Sequence, residues 1–202
     1  MLILASGSPR RAKILKKLGV QFRVVKTDAE EVAIRPDVFY DSETTGYVVE
    51  DNACRKVWAG FKAAGGSAGG ILAADTVVWF RNQILGKPKD LDAAAEYLRE
   101  MSGKVHSVFT GVAYLPPGAT EDDEQRFALV ESKVKFRKLS DKRIDEYVAR
   151  VKPTDRAGAY DIDESGDLIV ESYTGSYENI MGLPVEPLCE WRIVGKCGNV
   201  RI

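Results

Sequence analysis

The chain has 202 residues, 45% of them hydrophobic and 29% charged, with a formal net charge of −1, so it reads as a globular protein with no electrostatic reason to bind nucleic acid. No apolar run reaches membrane-spanning length and nothing at the start resembles a cleaved leader, which sets the expectation of a cytoplasmic protein with no membrane partner. One histidine (His106) and three cysteines (Cys54, Cys189, Cys197) without a CxxC argue against a zinc cage or a Ser-His-Asp triad.

Met1 to Ala5 is a short apolar run and reads as a buried strand. Ser6-Gly7-Ser8 is a small polar turn, Ser8 stands where a helix N-cap belongs, and Pro9 stands at the first helical position, where its missing N–H costs nothing. The helix carries Ile14, Leu15 and Leu18 on one face and ends at Gly19. Two arginines, Arg10 and Arg11, occupy its first turn, where the helix dipole disfavours cations. Their placement suits a bound anion. Phosphate fits best, because hydroxyls, backbone donors and guanidinium forks all match its oxygens; a solvated basic patch is the alternative.

Gln21 to Thr27 reads as a second strand, followed by the acidic cluster Asp28-Ala29-Glu30-Glu31. Arg35 to Glu43 reads as a loop, and Thr44 to about Ala64 as a helix bearing Lys56, a surface lysine on its face value. Gly65 to Gly70 is a flexible turn. Ile71 to Phe80 is a buried-strand pattern with one carboxylate, Asp75, in the middle. A charge there is costly unless it is paired, hydrogen-bonded or bound to a metal, so Asp75 is the strongest functional acid in the chain. Arg81-Asn82-Gln83 makes a turn, and Ile84 to Pro88 returns beside the strand. That hairpin is expected to bring Lys87 near Asp75, either as a structural ion pair or as part of a metal-and-phosphate site.

A helix from Leu91 to Ser102 is capped by Asp90 and stopped by Gly103. His106 to Leu115 and Phe127 to Arg137 read as paired strands joined by an exposed turn, Pro116 to Gln125. Ser140 caps a helix through Val151. Leu168 to Tyr173 reads as a strand, Thr174 to Met181 as a loop, and Pro184 as the start of a last helix through Arg192. Cys54 and His106 read as structural. No linker divides the chain, so one domain over residues 1–202 is expected.

Taken together, Ser6-Gly-Ser8-Pro9-Arg10-Arg11, Glu31, Asn52-Ala53-x-x-Lys56, Ala74-Asp75-Thr76-Val77, Gly86-Lys87-Pro88, Ser102-Gly103, Thr110-Gly111-Val112, Ala157-Gly158-Ala159-Tyr160 and Gly182-Leu183-Pro184 resemble the Maf family. Its members are nucleoside-triphosphate pyrophosphatases, also described as septum-formation inhibitors. The resemblance implies a mixed α/β fold: an elongated central sheet with flanking helices forming two lobes around a cleft, similar to the inosine-triphosphate pyrophosphatases. It further implies cleavage of a nucleoside triphosphate to the monophosphate and pyrophosphate with a divalent metal cation, Mg²⁺ or Mn²⁺. On that resemblance Asp75 is the proton acceptor, a metal ligand, or both, and Glu31 helps to hold the metal. Arg11, Lys56 and Lys87 neutralise the triphosphate, with Ser6 and Ser8 in the phosphate turn, while Arg10 and Thr76 sit where the family discriminates among substrates.

Ser-Pro-Arg-Arg and Ala-Asp-Thr-Val are similar to the sub-type that acts on dTTP and UTP. One stretch departs from it: those members typically read Tyr-Gly-Ile-Gln where this chain reads Tyr160-Asp161-Ile162-Asp163. A carboxylate can only accept where an amide both donates and accepts, so Asp163 is expected at the base-reading edge with an altered preference. Two other functions fit the same residues: a non-catalytic nucleotide-sensing or septation-regulating protein, and a purine house-cleaning pyrophosphatase. A homodimer remains an open expectation.

Overall fold

The computed structural model describes residues 1–35, 38–66 and 69–195. Parts of the loop expected at 35–43 and of the turn at 65–70, together with Cys197, lie outside the described residues. Seven strands form one mixed sheet: β1 (Leu2–Leu4), β2 (Phe22–Val24), β3 (Ile71–Phe80), β4 (Gln83–Leu85), β5 (Val105–Leu115), β6 (Arg126–Phe136) and β7 (Val170–Thr174). Their order is β2-β1-β3-β5-β6-β7, with β4 also on β3. β1 runs parallel to β2 and β3, because each connection passes through a helix; the remaining pairs are antiparallel. The expected mixed α/β class is the observed one.

The helices follow from local signals. α1 (Pro9–Lys17) has Ser8 in extended geometry at its N-cap and proline in its first turn, yet the Ser8 side chain makes no capping bond. α2 (Ser42–Ala64) starts two residues earlier than its apolar pattern suggests, because the Asp41 carboxylate accepts from Thr44 N at 2.7 Å and caps it there. α3 (Leu91–Met101) and α4 (Asp141–Val151) begin at Asp90 and Ser140 as expected. The stretch read as a loop after β7 contains a short helix, α5 (Tyr177–Ile180), because Ser176 caps Asn179 N at 3.3 Å. The last helix, α6 (Glu186–Glu190), is shorter than expected: Leu183 N still closes α5 by donating to Glu178 O, and Pro187, not Pro184, occupies its first turn. Among the described residues no helix is long and apolar enough to cross a membrane.

The position of Asp75 in the sheet decides where the fold opens. β5 pairs with β3 from Ile71 to Trp79 along one edge. On the other edge β1 pairs at Ile71 and Leu72, and β4 pairs only from Val78 to Phe80. Between them, around Ala74 to Val77, β3 has no strand neighbour on that side among the described residues. The apolar packing divides at the same place. Leu72 and Ala74 belong to a cluster with Leu15, Val112 and Leu183, whereas Val78 and Phe80 belong to another with Leu98, Phe136 and Tyr147. These four β3 residues share one face by strand alternation, and Thr76 lies between them. On the opposite face Asp75 falls between Ala73, packed under α2, and Val77. A cleft can form at Asp75-Thr76 without cutting through either core.

His106 is structural, as its place at the strand border suggested. It is 3% exposed, its Nε2 lies 3.0 Å from the Tyr160 hydroxyl, and its ring meets Phe136 edge-on at 4.7 Å. Burial pushes its pKa down to about 3. The unfolded chain takes up this proton near pH 6.5 and the folded chain does not until about 3, so between those values the unfolded state binds more protons and stability falls as pH falls. His106→Gln is expected to remove about 1.4 kcal/mol per pH unit of that acid sensitivity over the same window. Urea titrations of both proteins at pH 7, 5.5 and 4.5 check this; parallel losses would remove His106 as the cause.

Candidate active site

A cleft of about 610 Å³ opens at the unpaired stretch of β3. Ser6, Gly7, Ser8, Arg10 and Arg11 line one side; Glu31, Asn52, Lys56, Asp75 and Thr76 line the floor; Gly86 and Lys87 line the side by β4. Asp155, Arg156, Tyr160 and Asp161 come from the segment after α4, and Met181 and Gly182 from the turn after α5.

The floor is built on α2. Asn52 and Lys56 are one turn apart on the same helix face, which lies over β3. Lys56 Nζ donates to Asp75 Oδ1 at 2.5 Å and also meets Glu31 Oε1 at 2.7 Å. Asn52 Nδ2 donates to the other Asp75 oxygen at 3.0 Å, while Asn52 Oδ1 accepts from Val32 N at 2.7 Å. One amide thus fixes the Asp75 carboxylate and pins the loop that carries Glu31. With its side chain 14% exposed and two carboxylates on its ammonium, Lys56 is not the surface lysine it resembled in the sequence. Nor does Lys87 supply the cation for Asp75. β4 ends at Leu85 opposite Val78, so Lys87 stands exposed on the cleft wall, and α2 delivers the partner instead.

Arg11 is held by all three of its nitrogens. Nε donates to Gly182 O at 2.8 Å, one terminal nitrogen to Ser6 Oγ at 3.1 Å and the other to Thr76 Oγ1 at 3.1 Å. A guanidinium carries five N–H groups, so two remain for a ligand. Burial pulls its pKa down to about 10, partly offset by the Asp75 charge, which leaves it cationic at neutral pH. Gly182 makes the approach possible: its φ is +104°, and a Cβ there would lie 3.2 Å from Thr76 Oγ1. The Thr76 hydroxyl has its own direction. Thr110 Oγ1 donates to Asn179 O at 3.1 Å, so Thr76, 3.0 Å from Thr110 Oγ1, donates to Thr110 and accepts from Arg11. Thr76 therefore touches a ligand chiefly through Arg11.

Ser6 Oγ accepts from Ser8 N at 3.2 Å as well as from Arg11, which closes the turn before α1. The uncapped start of α1 leaves first-turn N–H groups and the Ser8 hydroxyl facing the cleft side, the donor set that suits a phosphate. Arg10 turns the other way. Its terminal nitrogen lies 3.6 Å from Asp161 and 4.0 Å from Asp155.

Asp163 is not among the residues lining the cleft. Its carboxylate binds Lys13 Nζ and accepts from the Tyr177 hydroxyl at 3.2 Å. The Lys13 hydrogen bond lowers its pKa. Asp161, two residues earlier, lines the cleft in its stead. Asn52 and Asp161 are the residues that reading the sequence for function passed over. The i,i+4 spacing of Asn52 with Lys56 was the available signal for the first, and an aspartate where the dTTP/UTP sub-type reads glycine was the signal for the second. Asp163→Gln is expected to leave the order of preference among nucleoside triphosphates unchanged, measured as relative kcat/KM on dTTP, UTP, CTP and GTP. A changed order would return Asp163 to the cleft.

A model of the family described as Maf-like protein matches residues 1–191. The chain belongs to the Maf family. A dTTP/UTP pyrophosphatase of Dictyoglomus thermophilum is 40% identical to this Maf chain over 185 residues, spanning 91% of it and 90% of the relative. One of Desulfitobacterium hafniense is 42% identical over 190 residues, spanning 92% and 81%. Among solved structures, the Ham1 protein of Staphylococcus aureus is 14% identical with a TM-score of 0.43, covering 82% of this chain and 88% of its own. That likeness is too distant to inform the site.

Proposed function

We propose that this Maf protein hydrolyses a nucleoside triphosphate of the dTTP/UTP class to the monophosphate and pyrophosphate. The observation that carries the reading is the meeting of two built devices in one cleft. The paired carboxylate of Asp75, held by Lys56 and Asn52, shares the cleft with the triply anchored Arg11 and the uncapped helix start at Ser8. The names of the relatives in D. thermophilum and D. hafniense support the substrate class.

In this reading the α1 start, Arg11 and Lys87 bind the phosphate chain and fix the α-phosphorus. Asp75 takes a proton from water as its oxygen bonds to that phosphorus, and the bond to the bridging oxygen breaks to release pyrophosphate. Displacement at phosphorus is mainly a matter of positioning and charge stabilisation, and these side chains supply both. Lys56, already shared by Glu31 and Asp75, can turn its ammonium to the phosphates as they enter.

Glu31 and Asp75 fit a hard divalent cation. Among the described residues no set of three or more His, Cys, Asp or Glu could enclose a metal. Two carboxylates on the floor of a phosphate cleft suit Mg²⁺ or Mn²⁺, which keep water and take phosphate oxygens as further ligands. Bound there, the ion would neutralise charge on the phosphates.

The test is pyrophosphate release by the purified protein with Mg²⁺ or Mn²⁺ from dTTP, UTP, CTP, GTP and ITP. Pyrophosphate is expected as the product, fastest from dTTP and UTP. Binding without release would make the cleft a sensor, and preference for ITP would make the protein a purine house-cleaning enzyme.

A further inference from the structure

Asp161 is buried (6% exposed) in the cleft wall that follows α4, and every part of it is tied down. Its N–H donates to the hydroxyl of Tyr147, itself wholly buried, at 2.8 Å. Its Oδ1 accepts from the N–H groups of Asp163 (2.9 Å) and Glu164 (3.3 Å), and its Oδ2 accepts from Arg156 Nε at 3.1 Å. Arg156 in turn holds Asp155 at 2.8 Å and Glu164 at 2.7 Å, so the whole wall after α4 is braced by one guanidinium. A carboxylate with its acceptor positions so occupied has little left to offer a base directly. What it does offer is charge, directed at Arg10. The Arg10 guanidinium lies 3.6 Å from Asp161 Oδ2, beyond a direct hydrogen bond, so it is attracted without spending its donors.

That attraction separates two adjacent arginines. Arg11 is turned to Ser6, Thr76 and Gly182, whereas Arg10 reaches towards Asp155 and Asp161. Without Asp161, Arg10 would keep only the longer approach to Asp155 and could join Arg11 at the phosphates, the strongest anion it could meet. The same cleft that Arg10 lines also carries Val78, Val108, Ile180 and Met181, apolar side chains of the kind that flank a flat ring. A guanidinium held at the edge of such a slot presents paired N–H donors, which match ring carbonyl oxygens and oppose an exocyclic amino group.

We infer that Asp161 is a positioning residue that holds Arg10 at the base end of the cleft, where Arg10 selects ring carbonyls over amino groups. The inference rests on the proposed nucleotide site but not on turnover. It is tested by binding, using the non-hydrolysable α,β-methylene analogues of UTP and CTP, which differ at the carbonyl or amino group on C4 and at the proton on N3. Wild type is expected to bind the UTP analogue about tenfold more tightly than the CTP analogue. Asp161→Asn keeps the shape but can accept on one side only, from Arg156 or from the Asp163 and Glu164 N–H groups, so its folding is checked by thermal unfolding; it is expected to bring that ratio to within about twofold. Inorganic tripolyphosphate should bind both proteins alike, or the variant slightly more tightly as Arg10 swings to the phosphates. Arg10→Met should lose discrimination to the same extent, and adding Asp161→Asn to it should change the ratio no further. An unchanged ratio in Asp161→Asn, or no discrimination in wild type, overturns the inference. Wild-type discrimination without pyrophosphate release would instead overturn the catalytic reading and leave this one standing.

Discussion

Asp75→Asn is expected to lower kcat by about a thousandfold, the usual scale for loss of a positioned general base. An amide cannot take a proton from water. The structure adds a complication that decides how the experiment should be built. Asp75 accepts from two donors, Lys56 Nζ and Asn52 Nδ2, on its two oxygens. An asparagine has one acceptor, so whichever way it turns, its NH₂ faces a donor. The single variant should therefore lose stability as well as activity. Combining Asp75→Asn with Asn52→Asp restores the match, because a carboxylate at 52 can accept both from the new amide and from Val32 N. The double variant should recover the thermal stability lost by the single one while staying about a thousandfold slow. Recovery of both would mean that Asp75 serves only as an ion-pair partner of Lys56. A single variant with near wild-type kcat would also remove it from the chemistry.

Arg11→Lys should cost roughly a hundredfold in kcat/KM despite keeping the charge. The three anchors of Arg11 lie in different directions around one planar fork, and a lysine ammonium cannot reach Gly182 O, Ser6 Oγ and Thr76 Oγ1 from one point while also facing a ligand. Hydrogen bonds from a charged donor are each worth about 1.5–3 kcal/mol, so loss of one or two properly placed contacts in the transition state accounts for the drop. The loss should be the same for dTTP, UTP and CTP, because this arginine faces phosphate. Arg10→Lys should instead alter the ratios among bases more than the rate on the best substrate. Steady-state kinetics of the two variants on the same three nucleotides separate the roles. A base-dependent loss in Arg11→Lys would contradict the assignment.

The sequence by itself marked most of the elements and most of the residues that line the cleft, because both are written in short-range order. Ser8-Pro9 marks a helix start whatever surrounds it, since a cap and a preset φ act within one turn. A lone aspartate inside Ile71 to Phe80 signals a paired charge, since an isolated one would not be tolerated there. The motifs carrying the Maf resemblance are runs of two to six residues and survive without coordinates.

What only the tertiary structure decided was which partner each group meets. By sequence Lys87 is the cation expected near Asp75 and Lys56 a surface lysine; α2 lying across β3 and β4 stopping at Leu85 reverse the two. Both are long-range facts of packing and register. Arg11 finds Gly182 across 171 residues of chain, a contact no local pattern encodes. Asp161 and Asp163 differ by two positions in an irregular segment, where neither strand nor helix periodicity assigns a face. Tyr147 and Arg156 turn the first towards the cleft, and Lys13 and Tyr177 draw the second away from it. The cleft itself exists because β1 and β4 share one edge of β3 without meeting. Sheet order is set by the competition of whole elements for neighbours, which leaves no mark on any single residue.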